Sequence, residues 1–351
     1  SKARNAASHG AALVLFAGNP AAWNAQLPVS RRLSMPEGGA PLDASIPVLH
    51  VSLSAAAELA GMSLSELRLL ALDISSQREP QSTILRGRRV RFSAAIAGQP
   101  VLGRNILAAL PGRDENLQTQ AVVIGAHYDH LGEGGGRIFF GANDNASGVG
   151  CLLAVAQAFA RLPQAPRRTI VFAAFDAEEI GRLGSRHYTA EPVLPIADTV
   201  LMVNFDMVGR NVPDEIMVVG SRSSPQLHLI HQQANRLVGL RLVHPASYRL
   251  GRSDHTWFYY ARVPIIYFFG GIDPDYNTPR DTWDKLIPAK MERVARLAFL
   301  TAWNVAEREQ KITFDESGAP LPDSPGEGAA QPAPRPAPPA GAPPRTMTQQ
   351  P

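Results

Sequence analysis

The chain has 351 residues, 45% of them hydrophobic, and carries 34 basic against 31 acidic residues for a net charge of +3. That is enough apolar material for one large core or two modest ones, and the charge is too balanced for a nucleic-acid or membrane-surface protein. One cysteine, Cys151, excludes an internal disulfide and a cysteine-rich zinc module.

The chain begins at Ser1 without a start methionine or a signal-peptide pattern, so a piece of a longer precursor is expected and the compartment is not legible there. KARNAASHGAALVLF runs from a helical pattern into a short apolar strand, and IPVLHVS is a second one beyond a Gly/Pro-rich loop from Leu27 to Pro47. The densest basic stretch, Arg86 to Arg91, predicts a solvated strand edge. Strand and helix patterns then alternate to about residue 311. From Pro320 onward prolines crowd together and large apolar side chains nearly vanish, which predicts a disordered tail. Three parts follow: residues 1–80, 81–311 and 312–351. No apolar run reaches the roughly 18 residues that a membrane span needs.

The middle part carries the chemistry. Gln120–Ala126 is a buried-strand pattern that ends at His127. Gly148–Leu162 has helical apolar spacing and holds Cys151 among apolar neighbours, as a buried thiol rather than a nucleophile. Arg168–Phe175 is a second buried strand and ends at Asp176, Glu178 and Glu179; Thr199–Phe205 is a third and ends at Asp206. Buried strands separated by helices predict an α/β fold with a largely parallel sheet, and ligand sites in such sheets form at the carboxyl ends of the strands.

Each residue also has a plainer reading. His127 alone would be an ordinary post-strand histidine, although Asp129 lies close enough to hold its second ring nitrogen. Asp144, in GANDNASG, would cap the following helix. Glu178 and Glu179 would be solvated, and Asp206 would be costly to bury unpaired. Their common position at strand ends favours a metal centre. His, Asp and Glu without cysteine suit zinc in an open, catalytic site, where bound water loses its proton easily and a non-ligand carboxylate moves it. Neither an HExxH helix nor a GxSxG elbow is present.

GAHYDHLG, GANDNASG, DAEEIG, NFDMVG, SDHTWFYYARVP and DYNTPRDTWDKL, in that order over residues 100 to 300, resemble the motif series of the M28 family of zinc peptidases. The resemblance implies a three-layer helix/sheet/helix sandwich around a mixed, largely parallel twisted sheet. It implies a two-zinc site acting on peptides with a free N-terminus, and favours a periplasmic or secreted setting. In that site His127 and Asp206 hold one zinc, Glu179 the other, and Asp144 bridges them. Asp129 orients His127, and Glu178 is the general base. His255 and Tyr248, with Arg249 and Arg252 beside the latter, are candidates for the substrate pocket. The opening segment resembles the second half of a protease-associated domain, a small partial α/β unit.

One position departs from the family. Asn277 stands where the motif usually has the last histidine ligand of the second zinc, and an amide oxygen is a poor zinc donor. One tight zinc is therefore expected, with a second weak or absent. Two other readings stay open: a single-zinc glutaminyl-peptide cyclase, which depends on the zinc position that Asn277 weakens, and a silent binding module, which has no use for Glu178.

Overall fold

The computed structural model describes residues 2–17, 46–77, 79–91, 101–134, 136–245 and 252–315. The Pro-rich tail from Pro320 and most of the Leu27–Pro47 loop lie outside these residues, as do Tyr248 and Arg249. In the N-terminal unit α1 (Lys2–Ser8) leads to β1 (Val14–Ala17), which pairs in parallel with β2 (Val48–Val51) before α2 (Leu53–Ala60) and α3 (Leu64–Gln77). Both later helices are bounded by local chemistry. Ser52 Oγ accepts the Ala55 N–H at the start of α2, and Gly61, left-handed at φ 69°, ends it. Ahead of α3, Ser63 and Glu66 exchange side-chain-to-backbone bonds of 2.7 and 3.2 Å, a capping box. This unit buries little, and Leu69 and Leu72 on α3 are each 65% exposed. Arg86–Arg91 is solvated as expected but forms no strand; the stretch is exposed and irregular.

The larger unit runs β3 (Ile106–Leu110), β4 (Ala121–His127), a short hairpin β5 (Glu133–Gly134) and β6 (Arg137–Ile138), α4 (Gly148–Ala160) and β7 (Thr169–Phe175). It continues through α5 (Leu183–Ala190), β8 (Thr199–Asp206), β9 (Glu215–Val219), α6 (Pro225–Asn235) and β10 (Arg241–Val243). Last come α7 (His255–Tyr260), β11 (Ile265–Phe269) and α8 (Pro288–Glu307). One seven-stranded sheet has the order β10-β9-β11-β8-β4-β7-β3. Strands β7, β4, β8 and β11 are mutually parallel, β3 runs against β7, and β9 runs against β11.

Helices cover both faces, which is why the central strands read as continuous apolar runs. Along β4 the side chains alternate: Val122, Ile124 and Ala126 join the core with α4, α6 and α8, while Ala121 and Val123 join Tyr188 and Phe258 of α5 and α7. Gly125 interrupts that alternation, because a Cβ there would stand 2.6 Å from the Phe175 ring. Cys151 is buried in the first core, its thiol pushed up to about 12 by burial. At the foot of β7 the buried Arg168 guanidinium donates to Gln120 and to the carbonyls of Val305, Arg308 and Glu309, tying the sheet to the end of α8.

Because β4, β7, β8 and β11 are parallel, their carboxyl ends share one edge of the sheet. His127 and Asp206 are themselves the last residues of β4 and β8.

Candidate metal centre

Two groups of side chains meet at that edge, and they share Asp144. The first is His127, Asp144 and Asp206, all buried; the second is His130, Asp144 and Glu179, with His130 and Glu179 partly exposed. His127 Nε2 stands 3.5 Å from Asp144 Oδ1 and 3.5 Å from Asp206 Oδ1. Its Nδ1 faces Asp129, 3.2 Å from the backbone oxygen and 3.6 Å from Oδ1. With the proton on Nδ1, the Nε2 lone pair and two carboxylate oxygens converge on one point with no donor among them. Burial pulls the His127 pKa down, but Asp206, Asp129 and Glu178 outweigh it and hold the ring well above its ordinary value.

Asp144 lies in the segment Ala142–Ser147 ahead of α4, after Gly141 in the left-handed region at φ 62°. Its backbone is held from far along the chain. The Asp281 carboxylate accepts the N–H groups of Asn143 (2.9 and 3.0 Å) and Asp144 (3.1 Å), while Asp273 accepts the Asn143 side-chain amide at 2.8 Å. Asn145 Oδ1 accepts from Gly148 and Met207, both at 3.1 Å, and its amide donates to the Phe205 carbonyl. Asn145, rather than Asp144, thus serves the start of α4. Burial, then the charges of Asp206 and Glu179, push Asp144 up to about 9. A carboxylate in that position keeps its charge only beside a cation.

The adjacent glutamates follow β7 on a tight turn. Asp129 closes it, accepting the Glu178 N–H on Oδ1 (2.9 Å) and the Glu179 N–H on Oδ2 (3.1 Å). Asp129 thus meets His127 through its backbone carbonyl and the glutamate turn through its carboxylate. Glu179 Oε1 lies 2.8 Å from His130 Nδ1, and Asp144 Oδ2 lies 4.0 Å from the same nitrogen. Glu178 belongs to neither group. Its carboxyl is raised well above the usual carboxylate range, by burial first and further by Asp254, Asp206 and Glu179, against the pull of His127.

These donors fit zinc. The set is imidazole and carboxylate, and Asp206 Oδ1, though buried, has no hydrogen-bond partner among the described residues. Tyr267 approaches the other oxygen, Asp206 Oδ2, at 3.5 Å, and His255 stacks on Tyr267 with ring centroids 4.3 Å apart.

His127, Asp129, Asp144, Glu178, Glu179 and Asp206 thus lie together at the strand ends. His255 is fully buried and stacks on Tyr267. Tyr248 lies outside the described residues, and Arg252 is exposed. Asn277 is in the left-handed region at φ 55°. The loop around it passes near the centre: burial, then Asp144, Glu179 and Asp206, raise the phenol of Tyr276 above its ordinary range. Sequence reasoning missed His130, Asp273 and Asp281. The signal for His130 was present as a second histidine on the same strand-end loop.

Known proteins carry the same arrangement of strands. The aminopeptidase from Aneurinibacillus sp. strain AM-1 superposes with a TM-score of 0.58 at 25% identity, over 91% of this chain and 69% of its own. The zinc aminopeptidase BSAP from Bacillus subtilis does so with a TM-score of 0.50 at 24% identity, over 60% of this chain and 52% of its own. In sequence the chain is 31% identical over 177 residues to leupeptin-inactivating enzyme 1 of Streptomyces exfoliatus, covering 49% of this chain and 36% of that enzyme. It is 27% identical over 202 residues to aminopeptidase YwaD of Bacillus subtilis, covering 54% and 42%. The chain thus spans less than half the length of these two relatives. Residues 105–302, which contain the seven-stranded sheet and every metal-centre residue, match the sequence profile of peptidase family M28, and the chain belongs to that family.

Proposed function

We propose that the protein is a zinc-dependent aminopeptidase, releasing N-terminal residues from peptides with a free amino terminus, with Glu178 as general base. The observation that carries this reading is the pair of His/carboxylate groups sharing Asp144, with Glu178 beside Glu179 on the turn that Asp129 holds but part of neither group. Zinc bound there supplies a Lewis acid for the scissile carbonyl and lowers the pKa of water toward about 7. Glu178 takes the proton of the attacking water on its carboxylate and delivers it to the leaving amine. Burial of that carboxyl raises its proton affinity, which suits a group that must accept a proton and pass it on. Asp129 keeps His127 oriented and the glutamate turn closed through the backbone.

The two positions are unequal in this reading. The buried His127 group holds zinc tightly and the more exposed second group holds it weakly. The peptidase unit is residues 81–311, and residues 1–80 are part of a protease-associated type of domain.

Dialysis against a chelator should abolish hydrolysis of aminoacyl-anilides, and added zinc or cobalt should restore it. Acetylated substrates should be poor. Unchanged activity in the metal-free protein would overturn the assignment, and rapid cleavage of blocked peptides would redirect it to an endo- or carboxypeptidase.

A further inference from the structure

The departure at Asn277 removes one imidazole from the second position, and the fold supplies another. We propose that His130 Nδ1 is the third protein donor of the second cation position, beside Glu179 Oε1 and Asp144 Oδ2, in place of a ligand from the 277 loop. This rests on the metal reading of the centre given above and assigns a ligand that the motif series does not.

Three observations carry it. The first is convergence: His130 Nδ1 lies 2.8 Å from Glu179 Oε1 and 4.0 Å from Asp144 Oδ2, and one donor atom from each of the three residues falls within 4.8 Å of the others. The second is how the ring is seated. A Cβ on Gly141 would stand 2.6 Å from His130 Cγ and 2.7 Å from Cδ2, so the ring packs flush on the Gly141 backbone. Gly141 is also left-handed, at φ 62°, and opens the segment that carries Asp144. The glycine thus brings His130 and Asp144 together from the two ends of one loop, which a backbone bond from Phe139 N–H to the Gly132 carbonyl (2.9 Å) folds back on itself.

The third observation is His130 Nε2, which is buried and has no hydrogen-bond partner among the described residues. The ring's polar contacts among the described residues therefore lie on the Nδ1 side alone, where Glu179 and Asp144 stand. Asn277 offers only an amide oxygen, the weaker donor for zinc.

The test is metal binding by the full chain, with no activity measured. Metal-free protein titrated with Co²⁺ should take up two equivalents of unequal affinity. His130→Ala should weaken the second equivalent by about 100-fold or more, beyond the usual cost of losing an outer-shell partner, and leave the first unchanged. If His130 only pairs with Glu179, His130→Ala keeps both equivalents while Glu179→Ala loses the second, and the proposal is overturned while the metal reading stands. If the wild type binds no metal, the metal reading itself fails and this proposal with it. A measurement on the wild type guards against a variant that does not fold: the second equivalent of Co²⁺ should add one further hyperfine-shifted imidazole N–H resonance. A second equivalent that adds none would also overturn the assignment of His130.

Discussion

The two halves of the metal centre share Asp144 but are built from different material. His127 and Asp206 are the last residues of β4 and β8, and each of these strands is hydrogen-bonded to a neighbour on both sides. Their backbones are placed by sheet ladders and a core buried on both faces. His130 and Glu179 stand on loops a few residues beyond the strand ends. Glu179 is placed by the Asp129 clamp, and His130 by the bare backbone of Gly141. One half inherits its geometry from the sheet; the other depends on a few long-range contacts. The second half should therefore be the easier to perturb, and the more readily emptied of metal.

The sharpest way to break this comparison is to remove what the halves share. Asp144→Ala should empty both positions and cut hydrolysis by about 10³-fold or more, the several kcal/mol that metal charge contributes to such reactions. Metal analysis should find neither equivalent. If one tight equivalent survived, Asp144 would not bridge the groups, and they would have to be treated as independent sites.

Glu178→Gln separates chemistry from binding on the loop side. The Asp129 clamp grips the backbone N–H groups of the turn, so the substitution leaves that clamp in place. Metal content should stay near the wild-type level while kcat falls about 10²–10⁴-fold, the usual contribution of a general acid–base group. Loss of metal in step with activity would make Glu178 a ligand rather than the base.

The same contrast explains what was legible in the sequence. Strands β4, β7 and β8 could be read because burial on both faces leaves unbroken apolar runs, and a polar residue at the end of such a run stands out. Their ends gave His127, the glutamate pair and Asp206. Strand direction carries no comparable local mark, so the reversed course of β3 and β9 could not be read residue by residue. Asp281 and Asp273 were missed because their partners are the backbone and amide of Asn143, far away in sequence. His130 was missed for a different reason. Whether a histidine just past a strand end turns inward depends on the fold-back at Gly132 and the space above Gly141, and no periodicity encodes either.

The scaffold under both halves can be probed by pH. His231 on α6 is fully buried against Phe268 and beside the Thr301 hydroxyl, and burial pulls its pKa down to about 3. Below its ordinary value of 6.5 the unfolded chain takes up a proton that the folded chain refuses. Stability from this group is therefore complete above pH 6.5 and is lost as pH falls toward 3, by about 2 kcal/mol between pH 6.5 and 5. Urea midpoints of the wild type and His231→Gln, compared at those two pH values, should show a smaller acid loss in the variant. Equal losses would mean that His231 does not govern the acid limb.

The smallest expected effect is the most discriminating for the loop half. If Asn277 marked a missing ligand, Asn277→His should strengthen the second position and raise the tight stoichiometry toward two. With His130 already supplying an imidazole to Glu179 and Asp144, the variant should instead bind metal as the wild type does, within about threefold, less than the 10-fold that even an outer-shell change usually costs. Asn277 also occupies the left-handed region at φ 55°, which asparagine tolerates better than most residues. Histidine there should leave the fold intact or lower the unfolding midpoint slightly, without a gain in metal. A clear gain in second-site affinity would show that the 277 loop reaches the metal, as the electrostatic coupling of Tyr276 to Asp144 and Glu179 allows. The loop half would then be a site short of a ligand rather than one completed by His130.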